Sequence, residues 1–162
     1  RMKQQVLASK VIHTDDTQVK LIDSSIRSTR LARFWAYLGD RGHPYTVYDF
    51  TETRERAGPE SFLREFEGYL QADAYGGYDG VYLQSRGSIT EVACWAHCRR
   101  YWYKAREQDP ARAHHVLAVI GRLYEVERVA RELDPLASQS LRQEHASPLL
   151  SDLQACGMLP KN

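Results

Sequence analysis

No stretch of the 162-residue chain approaches the run of about 18 apolar residues that a membrane-spanning helix needs, so no membrane partner is expected. The first ten residues, RMKQQVLASK, hold no apolar core of a signal peptide. Cysteine is scarce. Cys94, Cys98 and Cys156 are an odd set without the spacing of a disulfide framework, which fits a reducing, cytoplasmic location. Charge of one sign is also missing: the net charge is only +1. Composition therefore gives no electrostatic argument for a polyanionic partner. A nucleic-acid binder of this composition would have to show local basic clusters, because phosphates are met by individual Lys and Arg side chains. Internal repeats and low-complexity tracts are absent too.

What remains is ordinary for a globular protein, with 43% hydrophobic and 27% charged residues. The length suffices for one domain with a real core and a helical appendage. The first half reads as strands. VIHTDD (11–16) and QVKLID (18–23) are short β-branched runs, followed by a polar, basic loop over 24–30. LARFWAYLGD (31–40) and YTVYDF (45–50) continue as strands around a turn at 41–44, giving an antiparallel meander. A helix is expected from about Pro59 and Ser61, with Phe62, Phe66 and Leu70 on one face. YLQADAY (69–75) and ITEVACW (89–95) read as two further short strands. From Ala96 the pattern is helical: one helix to about Asp109-Pro110, a second from Ala111 to Leu133, and a third from Ser138 to Ala155. The second carries an apolar stripe of Val116, Val119, Ile120, Leu123, Val126, Ala130 and Leu133. The expected architecture is α/β, a mixed sheet over 1–95 followed by a helical region over 96–162 that is an insertion in, or a continuation of, the same domain.

Asp15 and Asp16 stand at the end of the expected first strand, and Asp73 near the end of a later one. Carboxylates at strand ends of an α/β sheet can share a divalent ion, because the sheet fixes their backbones while the side chains project into a cleft. Hard oxygen ligands suit Mg²⁺ or Mn²⁺. Two such ions about 4 Å apart can activate a water and stabilise the leaving oxygen in phosphodiester cleavage. Spacing alone describes turn residues equally well, since Asp is common in turns.

The words around these acids are more specific. H-T-D-D-T (13–17), Y-L-Q-A-D-A-Y-x-x-Y (69–78) and E-V-A-C-W-A-H-C-R-R-Y-W (91–102) occur in that order, with L-Y-E-V-E-R (123–128) further on. Together they resemble the transposases of the insertion sequence 66 family, whose motifs read H-x-D-E-T, L-Q-x-D-x-Y-x-x-Y and C-W-A-H-x-R-R. The resemblance runs through nearly the whole chain. It implies an RNase H-like fold and a DDE-type active site, with Asp15 and Asp73 as the first two catalytic acids and as ligands of Mg²⁺ or Mn²⁺. The implied activity is DNA strand cleavage and strand transfer at transposon ends, with transposon-end and target DNA as partners and self-association in a transposition complex. The carboxylates of Asp15 and Asp73 are then expected about 4–7 Å apart on neighbouring strands.

Asp16 departs from the family pattern, which commonly has Glu there; its charge is kept, and it is read as a neighbour that tunes the site. The third acid is expected in an N-N-x-x-E-R stretch after the helical region, and no such stretch occurs here. Glu127, at the margin of the buried stripe, is the best internal substitute; its other reading is a solvated glutamate paired among Glu125, Arg128, Arg131 and Glu132. An incomplete active site, an excised piece of a longer protein and an inactive isolated chain are therefore expected.

Cys94, His97 and Cys98 are too few for a closed structural zinc site, which normally takes four ligands. The Cys-x-x-His word also resembles a feature that follows the second Asp in several DDE transposase groups. His97 is read either as a packed core histidine or as a contact to the scissile phosphate or a flanking base. Arg99, Arg100, Lys104 and Arg106 alternate with Trp95, Tyr101, Trp102 and Tyr103. Such a helix can meet phosphates and stack on unpaired bases, or simply pack its rings inward and hold its cations in water. His97, Arg99, Arg100 and Lys104 are the nucleic-acid-binding candidates, with Arg27, Arg30 and Arg33 a weaker second cluster. Two competing functions share these features: an RNase H-like nuclease without strand transfer, and a catalytically inactive DNA-binding or assembly module.

Overall fold

A single 13-residue strand, β1 (Val11–Asp23), stands at the centre of a five-stranded sheet in the computed structural model of the chain. The structure describes residues 1–23, 28–52, 57–73, 76 and 78–157, without the side chains of Asp23 and Ser28. The chain divides into two units, Arg1–Cys94 and Trp95–Asn162.

In the first unit, β1 pairs antiparallel with β2 (Ser28–Leu38), which pairs antiparallel with β3 (Thr46–Thr51). On its other side β1 runs parallel to β4 (Gly68–Ala72), which runs parallel to β5 (Ile89–Ala93). The order is β3-β2-β1-β4-β5, the expected meander extended by two later strands. The two short runs expected over 11–16 and 18–23 are one continuous strand, because β2 pairs along it without a break from His13 with Leu38 to Asp23 with Ser28. Asp15 and Asp16 therefore lie inside a strand and not at its end. The loop expected over 24–30 is shorter, since β2 starts at Ser28; residues 24–27, Arg27 among them, lie outside the described residues.

Three short helices complete this unit: α1 (Met2–Leu7), α2 (Ala57–Leu63) and α3 (Asp79–Gln84). Neither α1 nor α3 is signalled by the sequence periodicity, since each has fewer than two turns. The helix expected through Leu70 stops at Leu63. Phe62, Phe66 and Leu70 still meet in one core, but from a helix, a connecting segment and β4. Side chains alternate across a strand, so Ile12 and Thr14 of β1, Trp35 and Tyr37 of β2, and Leu70 and Ala72 of β4 share the buried face. Val6, Phe62, Leu63 and Val81 of the helices pack onto it. The Tyr37 and Phe62 rings stack 3.7 Å apart and nearly parallel, while Trp35 meets Tyr78 edge-on at 6.1 Å. Burying each such ring contributes about 1.5–3 kcal/mol. The indole N–H of Trp35 donates to Thr51 Oγ1 at 2.8 Å, which satisfies its polar end.

The opposite face of the sheet carries exposed rings. Phe34 lies beside Phe50 and Tyr48, with centroids 6.0 and 6.4 Å away, and Tyr69 of β4 is also exposed.

The second unit is helical: α4 (Trp95–Ala105), α5 (Pro110–Ala130), α6 (Pro135–Leu141), a π-helical turn (Arg142–Ala146) and α7 (Ser147–Ala155). The two Asp-Pro words that end helices also start the next ones. Asp109 caps α5 by accepting from the amide of Arg112, and Asp134 caps α6 by accepting from those of Leu136 and Ala137. In each case the proline sits in the first turn, where no N–H is needed. Val116, Val119, Ile120 and Leu123 of the expected stripe pack against Leu149 and Leu153 of α7. Leu133 lies beyond the end of α5 and is exposed, contrary to its place in that stripe. The single helix expected over 138–155 is one helical run with the π turn inside it. Pro148 explains the interruption: it lacks an N–H, and its ring opposes the carbonyl four residues earlier, which the wider turn accommodates. Among the described residues no helix is long and apolar enough to cross a membrane.

Gly68 opens β4 with φ of +142°, and a Cβ there would stand 2.6 Å from the carbonyl oxygen of Lys10. That carbonyl accepts from the amide of Tyr69, so the contact is part of the β1–β4 seam. Gly68→Ala is expected to destabilise the protein by about 1–3 kcal/mol, read as a lower urea midpoint with an unchanged slope.

Candidate active site

The β1–β4 seam runs toward two of the sequence-selected acids. Val11 pairs with Tyr69, Ile12 with Leu70 and His13 with Gln71. The pairing stops there; counted two residues further, the same offset would match Asp15 with Asp73, one residue beyond the end of β4. By the alternation of the strand, Asp15 lies with His13 on the face opposite the helices. Asp15 is exposed and Asp73 half-buried. One Asp15 carboxylate oxygen accepts from the Asp16 amide at 2.9 Å.

Asp16 points the other way. Its side chain is only 2% exposed, and Oδ2 accepts from Arg33 Nη1 at 2.8 Å. Arg33, expected in a basic cluster, instead lies on the core face as the partner of this acid. Arg30 pairs with Glu52 at 3.3 Å on the surface. The adjacent acids Asp15 and Asp16 are thus separated by the period of the strand.

Tyr78 lies against this region from the core side, its hydroxyl 3.1 Å from Thr14 Oγ1. Burial pushes the Tyr78 phenol above its ordinary value; the Thr14 hydrogen bond opposes this, and the negative charges of Asp16, Asp73 and Asp15 add to it. Sequence reading assigned Tyr78 only as the last letter of a motif. Its pairing with Thr14 depends on a separation of 64 residues, which no local pattern signals.

The residues after β5 divide by face. Trp95, Cys98 and Trp102 pack against the α5–α7 core, while Arg99, Arg100, Lys104, Tyr101 and Tyr103 are exposed. The Arg106 guanidinium lies 3.6 Å over the Tyr103 ring. Both readings of this helix hold, with the tryptophans inward and the tyrosines among the cations. His97 is half-buried in the first turn of α4. Burial pushes the Cys98 thiol up, with a hydrogen bond involving Trp102 opposing it, so this cysteine is held in its inert form.

Glu127 is held within the helical unit. Arg142, in the π turn, donates to both of its carboxylate oxygens at 2.7 and 2.9 Å. The local charge pairing expected for it occurs instead between Glu125 and Arg128. The Glu127–Arg142 pair borders a cleft of about 410 Å³ with largely apolar walls, including Trp95, Leu123 and Leu150.

The chain matches the family model described as "Transposase IS66 family" over residues 1–159, and it belongs to that family, as its motifs implied. Among its relatives are three uncharacterized proteins of Sinorhizobium fredii. The protein y4hP is 25% identical over 91% of this chain and 30% of its own length. The protein y4jD is 26% identical over 89% of this chain and 30% of its own length, and y4qI is 26% identical over 88% and 29%. The chain thus spans under a third of the length of the curated relatives it matches.

Two outcomes follow from the ion pairs. Arg33→Leu removes a cationic partner of a nearly buried carboxylate and is expected to lower stability by about 1–3 kcal/mol in urea unfolding. The Arg142 hydrogen bonds hold the Glu127 carboxyl below its ordinary value. The stabilisation from this pair is then present above the unfolded glutamate value of about 4.3 and is lost as pH falls through the lower folded value. An NMR carboxyl titration should place the Glu127 midpoint below that of a free glutamate, and Arg142→Met should return it to the ordinary range.

Proposed function

We propose that the first unit is the larger part of a DDE-type transposase core with an RNase H-like sheet, in which Asp15 and Asp73 hold a divalent metal for DNA strand cleavage and strand transfer. The observation that supports this reading is the parallel β1–β4 register, whose offset, counted on past the last paired residues, matches Asp15 with Asp73. The mixed sheet, an antiparallel meander continued by two parallel strands, supports the fold assignment. The donor set fits Mg²⁺ or Mn²⁺: two carboxylates, Asp15 exposed and Asp73 half-buried, with hard oxygen ligands that leave other positions for water and phosphate. When bound, such an ion supplies Lewis-acid polarisation of the phosphate and lowers the pKa of an attacking water or 3′-hydroxyl.

The rest of the chain's work in this reading is positional. The Asp16–Arg33 pair and the Thr14–Tyr78 contact hold β1 from the core side, so Asp15 is presented on a fixed backbone. On α4, Arg99, Arg100 and Lys104 neutralise phosphates, while exposed Tyr101 and Tyr103 are available to unpaired bases. His97, in the first turn of the same helix, is the candidate for a phosphate or base contact. The third acid is supplied from outside these residues, because Glu127 is already held by two hydrogen bonds from Arg142. In this reading the helical unit is an insertion between the second and third acids. The competing reading, a DNA-binding or assembly module without catalysis, keeps the α4 contacts and drops the metal.

Added Mn²⁺ should broaden the NMR signals of residues around Asp15 and Asp73 selectively, and Asp15→Asn or Asp73→Asn should abolish that broadening without unfolding the protein. In a protein that also carries the third acid, each substitution should abolish Mg²⁺-dependent nicking of transposon-end DNA. Mg²⁺-dependent nicking by the 162 residues alone, lost in Asp73→Ala, would show that the third acid is internal and return Glu127 to the site. Mn²⁺ broadening that ignores both aspartates would leave the DNA-binding module as the reading.

A further inference from the structure

On the helical unit, outside the candidate active site, three side chains of different ligand chemistry meet. His115 lies on α5, Asp152 on α7, and Cys156 is the residue that ends α7. Their ligand atoms all lie within 4.8 Å of one another. His115 Nε2 is 3.1 Å from Asp152 Oδ2 and 4.0 Å from Cys156 Sγ. Asp152 and Cys156 are four residues apart on one helix, hence on the same face. No local pattern signals this set, because His115 and Asp152 are 37 positions apart.

We propose that His115, Asp152 and Cys156 form a binding site for a borderline-soft divalent metal, zinc above all, which ties α7 to α5. The ligand geometry carries this. With zinc–ligand distances of about 2.0–2.3 Å and tetrahedral angles, neighbouring N, O and S donors stand roughly 3.3–3.6 Å apart. The observed spacings bracket that range, so small rotamer adjustments suffice. The mixed N, O and S donors favour zinc over Mg²⁺ or Ca²⁺, which take oxygen ligands. Three protein ligands leave the fourth position to water or to a further donor.

A catalytic relay is the other arrangement that Cys, His and Asp can make, and the contacts argue against it. Such a relay divides the two ring nitrogens, one toward the nucleophile and one toward the orienting acid. Here Cys156 and Asp152 both approach the same nitrogen, Nε2. Convergence of three donors on one small space is instead what a single ion requires. Binding converts the Cys156 thiol to a thiolate and releases its proton to solvent. All three residues are exposed, so little desolvation opposes the site and substitution does not disturb the core.

The test is competition for Zn²⁺ between the reduced 162-residue chain and a chromogenic chelator, paired with Co²⁺ absorption spectra. One equivalent of zinc per chain is expected, with affinity falling at least about tenfold in both His115→Ala and Cys156→Ser, since even the loss of an outer partner of a ligand costs that much. The thiolate-to-cobalt charge-transfer band should vanish in Cys156→Ser and persist in Cys94→Ser. Zinc should also raise the thermal midpoint of the unsubstituted chain and not that of Cys156→Ser. Absence of stoichiometric zinc binding, or binding undiminished in His115→Ala and Cys156→Ser, would overturn the proposal.

Discussion

Side chains on β1 alternate between two very different environments, and the layout of the first unit depends on that alternation. Ile12, Thr14 and Asp16 face the helices, while His13 and Asp15 face away. A shift of one residue in the pairing of β1 would exchange these sets, burying a histidine and Asp15 and exposing Ile12. The buried face opposes such a slip with interlocking contacts: Tyr37 stacked on Phe62, Trp35 edge-on to Tyr78, and the Thr14–Tyr78 hydroxyl pair. The register of β1 is therefore held by residues that never reach the open face.

That arrangement gives two adjacent aspartates opposite tasks. Asp16, almost wholly removed from water, needs a cation and obtains one from Arg33 on the neighbouring strand. Asp15 keeps its solvent access on the opposite side of the strand. The first acid of the doublet faces water, while the second lies on the core side of the same strand. Their negative charges nevertheless meet at Tyr78, whose burial is the largest reason its proton is held tightly.

The helical unit follows a different logic. Its apolar core of α5 and α7 side chains accepts Trp95 and Trp102 from α4, which leaves the tyrosines and cations of that helix in water. Pro148 forces a π turn into the last helical run, and this turn carries the arginine that captures Glu127. A residue that looked available as a third acid is thus consumed by a tie between α5 and the π turn.

Much of the first unit could be read from the residues. The meander follows from β-branched and aromatic runs, the late strands from short apolar words, and the helical half from a stripe of period 3.6. Elements under two turns, α1 and α3, left no period to read, and the run through Phe62, Phe66 and Leu70 imitated a helix because three different elements feed one core. The order of the motifs determined the family and selected Asp15 and Asp73, since those words are contiguous in the chain. Which of two neighbouring acids faces solvent, which arginine pairs with Asp16, where Glu127 is held and how His115 meets Asp152 and Cys156 were decided only by tertiary structure. Each depends on a contact between residues far apart in sequence, and such contacts are set by strand register and helix packing, for which a local pattern carries no signal.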